Sequence, residues 1–172
     1  MPYPPYAAFI VTPSNPDSNV GTQLGVIAAH LLGHNTTNGS NGSWRFDNSN
    51  SIQPPTSPPP ATYRAIELEF DINAPINPFS IMLQVFVAFP PDDDAPDGQQ
   101  TSLAVYVDDV YQGLDVDINP LEHQQQALWI LLENLNCPNS QSSLKVSLVH
   151  RKKAAENNHD IDFYGATGEI IY

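Results

Sequence analysis

Positive charge is scarce in this chain, and the scarcity excludes several classes of partner. The 172 residues include 6 Lys and Arg against 19 Asp and Glu, which gives a formal net charge of −13. Proteins that bind nucleic acid draw much of their affinity from cationic side chains that neutralise phosphates. We therefore expect no nucleic-acid partner, and the same deficit argues against anionic membranes and polyanionic sugars.

Long apolar runs and cysteine pairs are also missing. No run approaches the ~18 apolar residues of a membrane-spanning helix, so we expect no membrane span. The first six residues carry neither the basic nor the apolar region of a signal peptide, so we expect a mature form or a route other than classical secretion. A single cysteine, Cys137, excludes an intrachain disulfide, and we expect a buried thiol there.

Proline, in contrast, is abundant, and ten of the 17 prolines lie in residues 1–16 and 53–60. The first segment predicts an extended arm, because proline lacks the N–H that a central strand donates. The second predicts a stiff polyproline connection within one domain, which we take to be residues 1–172. A proline-rich motif read by a partner domain is the alternative for this second segment.

From residue 62 onward, polar and apolar residues alternate. Even positions of residues 66–72 are Ile, Leu, Phe and Ile, whereas the odd positions are two Glu and an Asp, as in a strand with one solvated face. Further strands are predicted at residues 81–89, 103–107, 110–118, 127–132, 144–148, 160–164 and 168–172. Because no helix-length segment separates them, we expect an all-β fold, an antiparallel jelly-roll β-sandwich.

The segment between the two proline-rich stretches allows two interpretations. Its apolar residues recur with helical spacing, at Val20, Leu24, Ile27, Ala28 and Leu31. One short helix over residues 20–32 is therefore one interpretation. A strand from Gly25 to Leu32 is the other, because nearly every side chain there is apolar.

Three segments of the second half of the chain, taken in order, carry a resemblance to a known family. They are residues 103–113 (LAVYVDDVYQG), residues 128–135 (LWILLENL), and residues 143–150 (SLKVSLVH) followed by 160–164 (DIDFY). These motifs resemble a galactose-binding-like jelly roll. The chain is similar to the extracellular jelly rolls of fungal single-pass membrane proteins and to the non-catalytic jelly roll of family 2 carbohydrate esterases.

The resemblance implies a non-catalytic binding module, often for carbohydrate and on an extracellular surface. Asp109 stands where the family usually has Gly, so the turn is expected to be built differently. Cys137 to Ser140 lengthens a turn that is usually short. No Gly-Asp-Ser nucleophile motif is present, so we expect no enzyme activity.

Sugar binding needs an aromatic surface for the C–H face of the sugar and polar groups for its hydroxyls. Trp44 follows a loop rich in Asn, Gly and Ser, and Tyr111 follows Asp108 and Asp109. We predict these four residues as ligand contacts. Trp129 lies in the middle of a predicted strand, and we expect it in the core.

Two other functions stay open. A structural self-assembling protein, such as a surface-layer, filament or capsid-decoration subunit, would use the proline-rich arm and the edge strands to form a homo-oligomer. A glycoside hydrolase would need two carboxylates about 5–10 Å apart, and the sequence singles out no such pair.

Eight of the 19 carboxylates lie between residues 92 and 117. Calcium takes about six to eight oxygen ligands, so calcium is an optional ligand and Asp92, Asp93, Asp94 and Asp97 are its candidate ligands. A solvated acidic loop is the alternative. His30 and His34 have a spacing that could hold zinc on a helix, but no third ligand is placed, so we expect chance spacing.

Three Asn-x-Ser/Thr triplets begin at Asn35, Asn38 and Asn41. In a secreted eukaryotic chain they would be glycan acceptors. The alternative is a turn-rich loop, since Asn, Gly and Ser are the residues that turns favour.

Overall fold

The computed structural model describes residues 6–20, 25–46, 55–73, 77–90, 101–118, 124–138, 141–152 and 160–171. In these ranges the chain forms strands and one short 3-10 turn, Ser40–Gly42, and no helix there is long and apolar enough to cross a bilayer. The strands are β1 (Tyr6–Val11), β2 (Asp17–Asn19), β3 (Val26–His34), β4 (Thr37–Asn38), β5 (Trp44–Phe46), β6 (Ala65–Ile72), β7 (Phe79–Ala88), β8 (Thr101–Val107), β9 (Val110–Ile118), β10 (Gln126–Leu135), β11 (Ser143–Lys152) and β12 (Ile161–Ile171).

The strands form two antiparallel sheets. The first sheet has the order β10-β7-β12-β5-β4, and β1 also pairs with β12. The second sheet has the order β2-β3-β6-β11-β8-β9. The two sheets pack around one apolar core, so the predicted all-β jelly-roll sandwich is confirmed.

The core follows from the alternation of side chains along each strand. In β6 the even residues from Ile66 to Ile72 are buried, and the acidic residues between them lie on the outer face. Phe9 of the first sheet meets Phe70 of the second edge to face, with ring centroids 5.2 Å apart. These inner faces hold the sheets together, since burial of apolar side chains is the main favourable term in folding.

The helix predicted over residues 20–32 is wrong, and the strand interpretation is correct. Residues 26–34 form β3, which pairs antiparallel with β6. Strand geometry buries Ala29 and Leu31 and leaves His30 on the outer face. The apolar residues have helical spacing, but pairing with β6, about 40 residues away in the sequence, determines the structure of this segment. Local spacing does not reveal such a distant partner.

Part of the predicted N-terminal arm is a strand of this chain's own sandwich. Residues 6–11 are free of proline, and they form β1 and pair with β12. Residues 1–5 of the arm, and residues 53–54 of the proline-rich connection, lie outside the described ranges. The strands predicted at residues 160–164 and 168–172 are one continuous strand, β12, with a register shift between Phe163 and Gly165.

Cys137 is fully buried, as predicted from the sequence. Its backbone N–H donates to the side-chain oxygen of Asn77 at 2.9 Å, and the Asn77 amide donates to the Cys137 carbonyl at 2.8 Å. Burial raises the pKa of the Cys137 thiol. A buried thiol with a raised pKa is a poor nucleophile and metal ligand.

Candidate functional site

The outer face of the first sheet carries an open groove of about 610 Å³, which we call the aromatic groove. Strands β1, β7, β10 and β12 supply its lining, which includes Ile10, Met82, Gln84, Trp129, Thr167 and Glu169. Trp129 is 63% exposed, so the expectation that it lies in the core is wrong. An indole this exposed on a strand is a candidate contact surface, because large aromatic side chains are usually buried.

Strand β10 explains the exposure of Trp129. Leu128, Ile130 and Leu132 point inward and are buried, so the residues between them must face outward. Almost every residue of the segment is apolar, so hydropathy alone does not separate its two faces. Glu133, which is exposed and in phase with Trp129, is the signal in the sequence that could have identified the outer face.

The strand register places the groove residues in a line across the sheet. Trp129 lies opposite Gln84, Gln84 lies opposite Thr167, and Thr167 lies opposite Ile10. Adjacent strands are ~4.8 Å apart, so this row is about 14 Å long. The row therefore begins with an indole, continues with an amide and a hydroxyl, and ends with an apolar side chain.

Among the described residues that line the aromatic groove, the charged side chain is one carboxylate. Glu169 lies opposite Met82 in the next row of the sheet, and none of the described groove residues is Lys, Arg or His. An anionic ligand would find no cation to pair with in this lining. The described lining of the groove therefore does not favour an anionic ligand.

The predicted contacts Asp108 and Asp109 form the turn between β8 and β9, with φ angles of 46° and 65°. Positive φ at both positions is what a two-residue type I′ hairpin turn requires, and Asp tolerates it. The Asp108 carboxylate accepts hydrogen bonds from the Lys145 backbone N–H and from the Gln141 amide, each at 2.9 Å. Asp109 pairs with the Lys145 ammonium at 2.9 Å.

Tyr111, the third predicted contact, is half-buried on the outer face of the second sheet. Its ring lies 5.6 Å from the ring of Tyr106, and its hydroxyl donates to Asp115 at 3.3 Å. Tyr106 is fully buried, its hydroxyl has no partner among the described residues, and burial raises the pKa of Tyr106 to about 12. Tyr111 therefore belongs to an aromatic cluster rather than to an open surface.

Trp44, the fourth predicted contact, lies in β5 of the first sheet and is partly buried against the core. Its ring covers Gly33, where an added Cβ would lie 3.3 Å from a ring carbon. Asp108 and Asp109 lie in the β8–β9 turn and Tyr111 in β9, all at the second sheet, so the structure does not bring the four predicted contacts together. None of the four is among the residues lining the aromatic groove.

The candidate calcium ligands Asp92, Asp93, Asp94 and Asp97 lie outside the described residues. Within the described ranges, no group of three His, Cys, Asp or Glu side chains is arranged to hold a metal ion. The two histidines of the predicted zinc spacing both lie on β3 and both contact carboxylates. His34 Nε2 lies 3.1 Å from Glu67 Oε2.

His30 joins three strands through its two ring nitrogens. Nδ1 lies 2.7 Å from Asp17 Oδ1 on β2, and Nε2 lies 2.8 Å from Asp71 Oδ2 on β6. The hydrogen bond to Asp17, and next the hydrogen bond to Asp71, raise the pKa of His30. Both nitrogens can donate only when the ring is protonated.

We expect this arrangement to make stability depend on pH. A raised folded-state pKa means that the stabilisation is fully present below the unfolded pKa of about 6.5 and is lost as pH rises through the folded pKa. The difference in unfolding free energy between wild type and His30→Gln should be larger at about pH 6 than at about pH 9, as measured by urea denaturation. Asp17→Asn should reduce that pH dependence, and an equal difference at both pH values would contradict the assignment.

Asn35 has a structural role that bears on the glycosylation triplets. Its side-chain amide donates to the carbonyls of Ala61 and Tyr63, at 2.8 and 2.9 Å. A glycan would be attached to this same nitrogen, so the folded chain leaves it poorly available. Asn38 and Asn41 are exposed, and Asn41 lies in the 3-10 turn with a φ of 55°.

Comparisons with known proteins found structural likenesses only, since no protein-family model and no curated protein matches the chain. The chain is similar to a family 35 carbohydrate binding module from Clostridium thermocellum, with 13% identity, a TM-score of 0.47, and 93% of this chain and 96% of that chain covered. It is similar to the xylan-binding module CBM15, with 11% identity, a TM-score of 0.41, and coverage of 81% and 95%. It is also similar to a family two carbohydrate esterase from Cellvibrio japonicus, with 12% identity, a TM-score of 0.42 and 95% of this chain covered, and it spans 33% of the length of that esterase.

Proposed function

We propose that this chain is a non-catalytic module that binds a neutral carbohydrate in the aromatic groove, on an extracellular surface. The observation that carries the proposal is the 63% exposure of Trp129, in register with Gln84 and Thr167 across the sheet. This puts an aromatic ring and hydroxyl-binding groups in one row.

Each part of the row matches a part of a sugar. The indole face offers a flat apolar surface to the C–H bonds of a pyranose ring. The Gln84 amide can donate and accept, the Thr167 hydroxyl can do both, and the Glu169 carboxylate accepts from sugar hydroxyls. Ile10 at the far end supports a second apolar contact, so the row suits a chain of sugars better than a single one.

The lining also supports binding over hydrolysis. Glycoside hydrolysis uses two carboxylates on opposite sides of the scissile bond, about 5–10 Å apart. Among the described residues of the aromatic groove, Glu169 is the single carboxylate. One carboxylate on an open sheet can orient a sugar but does not supply an acid and a base.

An extracellular setting is part of the proposal. The exposed Asn38 and Asn41 each begin an Asn-x-Ser triplet, and such triplets are modified in secreted chains. Mass spectrometry of the chain purified from its natural source tests this part: modification at Asn38 or Asn41 supports it. Recovery of the protein from the cytoplasm alone would contradict it.

A glycan array tests the proposed ligand class, and Trp129→Ala tests the groove. We expect binding to one or more neutral oligosaccharides, with little binding to charged ones. Loss of the indole should weaken binding of the oligosaccharide that binds best on the array by at least ~2 kcal/mol, or about 30-fold in Kd, as for other aromatic anchors at interfaces. Val110→Ala, an exposed apolar residue of the second sheet, is the matched control and should bind normally.

Self-assembly through the same face is the second candidate. Ile10, Trp129 and Leu131 are 62%, 63% and 44% exposed, and the strand alternation places all three on the outer face of the first sheet. Exposed apolar patches of this kind also mark protein interfaces. Sedimentation velocity separates the two: a monomer that binds sugar supports the module, whereas a Trp129-dependent oligomer without sugar binding supports assembly.

A further inference from the structure

A second and smaller pocket lies on the opposite side of the sandwich, between the outer face of the second sheet and the proline-rich segment 55–61, which we call the strap. The pocket has a volume of about 180 Å³. Pro59, Pro60 and Ala61 form one wall, and Ala65, Ser147 and Val149 of the sheet form the floor. We call it the strap pocket.

The strap is fixed over the sheet from two sides. The backbone N–H of Tyr111, in β9, donates to the Ser57 hydroxyl at 2.8 Å. From the end of β3, the Asn35 amide donates to the carbonyls of Ala61 and Tyr63. A ligand would therefore enter a pocket whose shape already exists, which lowers the entropic cost of binding.

Charged side chains occupy one end of the strap pocket. Glu67 Oε2 lies 3.1 Å from His34 Nε2 and 3.8 Å from the Lys145 ammonium. The Lys145 ammonium lies 2.9 Å from Asp109 Oδ1, and this hydrogen bond raises the pKa of Lys145. Leaving His34 aside, the two carboxylates of Glu67 and Asp109 face the one ammonium of Lys145, so these three groups carry one excess negative charge.

Glu67 has unused capacity to accept hydrogen bonds. Its side chain is only 12% exposed, and within the described part of the chain both of its ionic contacts fall on Oε2. Oε1 makes neither of these contacts, so it can accept a hydrogen bond from a ligand in the pocket. The pocket therefore favours a ligand that brings a positively charged donor to Glu67.

We propose that the strap pocket binds a small organic monocation, a primary amine with a short apolar body. The ammonium donates to Glu67 and Asp109 and balances the excess charge. The apolar body lies between Pro60, Tyr63 and Val149, and the Tyr63 ring offers a further favourable contact to a cation. At about 180 Å³ the pocket is smaller than the ~300–1,000 Å³ that drug-sized ligands occupy, so the ligand has few heavy atoms.

Three probes of equal length separate charge from apolar contact. We expect n-butylamine to give saturable changes in the backbone amide signals of Tyr63, Glu67 and Val149 in NMR titrations at neutral pH. Butan-1-ol and butyrate should bind much more weakly. Equal binding of all three probes, or changes that map away from the strap pocket, would overturn the proposal.

Two isosteric variants test the role of the carboxylates. Glu67→Gln should weaken n-butylamine binding about tenfold or more, because it removes a charge-assisted hydrogen bond. Glu69→Gln is the matched control, because Glu69 lies on the same strand and face but outside the pocket. This variant should bind n-butylamine with unchanged affinity. Asp109→Asn should weaken n-butylamine binding as well. An unaltered affinity of Glu67→Gln for n-butylamine would overturn the proposal. Trp129→Ala should bind the amine normally, whether or not the aromatic groove binds sugar.

Discussion

Replacing Arg45 with Met lowers the free energy of unfolding by about 3–5 kcal/mol, because it leaves the buried carboxylate of Asp162 without its ion-pair partner. Asp162 in β12 is completely buried, and Arg45 of the neighbouring β5 binds it through Nε at 2.8 Å and Nη2 at 3.3 Å. The Ser40 backbone N–H adds a third hydrogen bond at 3.2 Å. Without the guanidinium, the carboxylate keeps its desolvation cost but loses most of its compensation.

Two comparisons make this prediction specific to burial. The double variant Arg45→Met/Asp162→Leu should be more stable than Arg45→Met alone, because replacement of both charges leaves no unpaired ion. Lys145→Met removes a 2.9 Å ion pair with the half-exposed Asp109 and a longer contact, at 3.8 Å, with Glu67, and it should cost only about 0–1 kcal/mol. Urea denaturation measures all three, and a cost for Arg45→Met as small as that for Lys145→Met would contradict the buried arrangement.

Phe9→Ala is the second change with a large expected effect, about 3–5 kcal/mol of unfolding free energy. Phe9 is 2% exposed and packs edge to face on Phe70 across the two sheets. Truncation removes apolar contacts from both sheets at once, and the surrounding strands cannot close the resulting cavity completely.

The adjacent residue is the control for Phe9. Ile10 is 62% exposed on the outer face, so Ile10→Ala should change stability by less than about 0.5 kcal/mol. Thermal or urea denaturation of the two variants therefore tests whether the side chains of β1 alternate between the core and the outer face. Similar losses for Phe9→Ala and Ile10→Ala would mean that β1 does not pack as the structure has it.

Much of the sandwich could be predicted from alternation alone. In β6 the polar and apolar residues separate cleanly, so the sequence indicates both the strand and its buried face. In β10 nearly every residue is apolar, so the strand is predictable but its buried face is not, and Trp129 was assigned to the wrong side. The distinction matters for function, because the outward face of β10 carries the aromatic ring of the groove.

The candidate sites were harder to predict because both depend on residues far apart in the chain. The aromatic groove joins Ile10, Gln84, Trp129 and Thr167 through the register of four strands, which no local pattern encodes. Asp109 was correctly placed in a turn, but its partner Lys145 lies on another strand. Residue types that suit sugar recognition are common in this sequence, so type alone did not single out the groove.

The aromatic groove is tested most directly by the two tryptophans of the chain. Each indole N–H gives one signal in a ¹⁵N–¹H correlation spectrum, and Trp129→Phe assigns them. During titration with the neutral oligosaccharide bound best on the array, we predict that the Trp129 signal shifts saturably while the Trp44 signal stays in place. A shift of Trp44 alone, or no shift of either signal with any neutral glycan, would contradict the account.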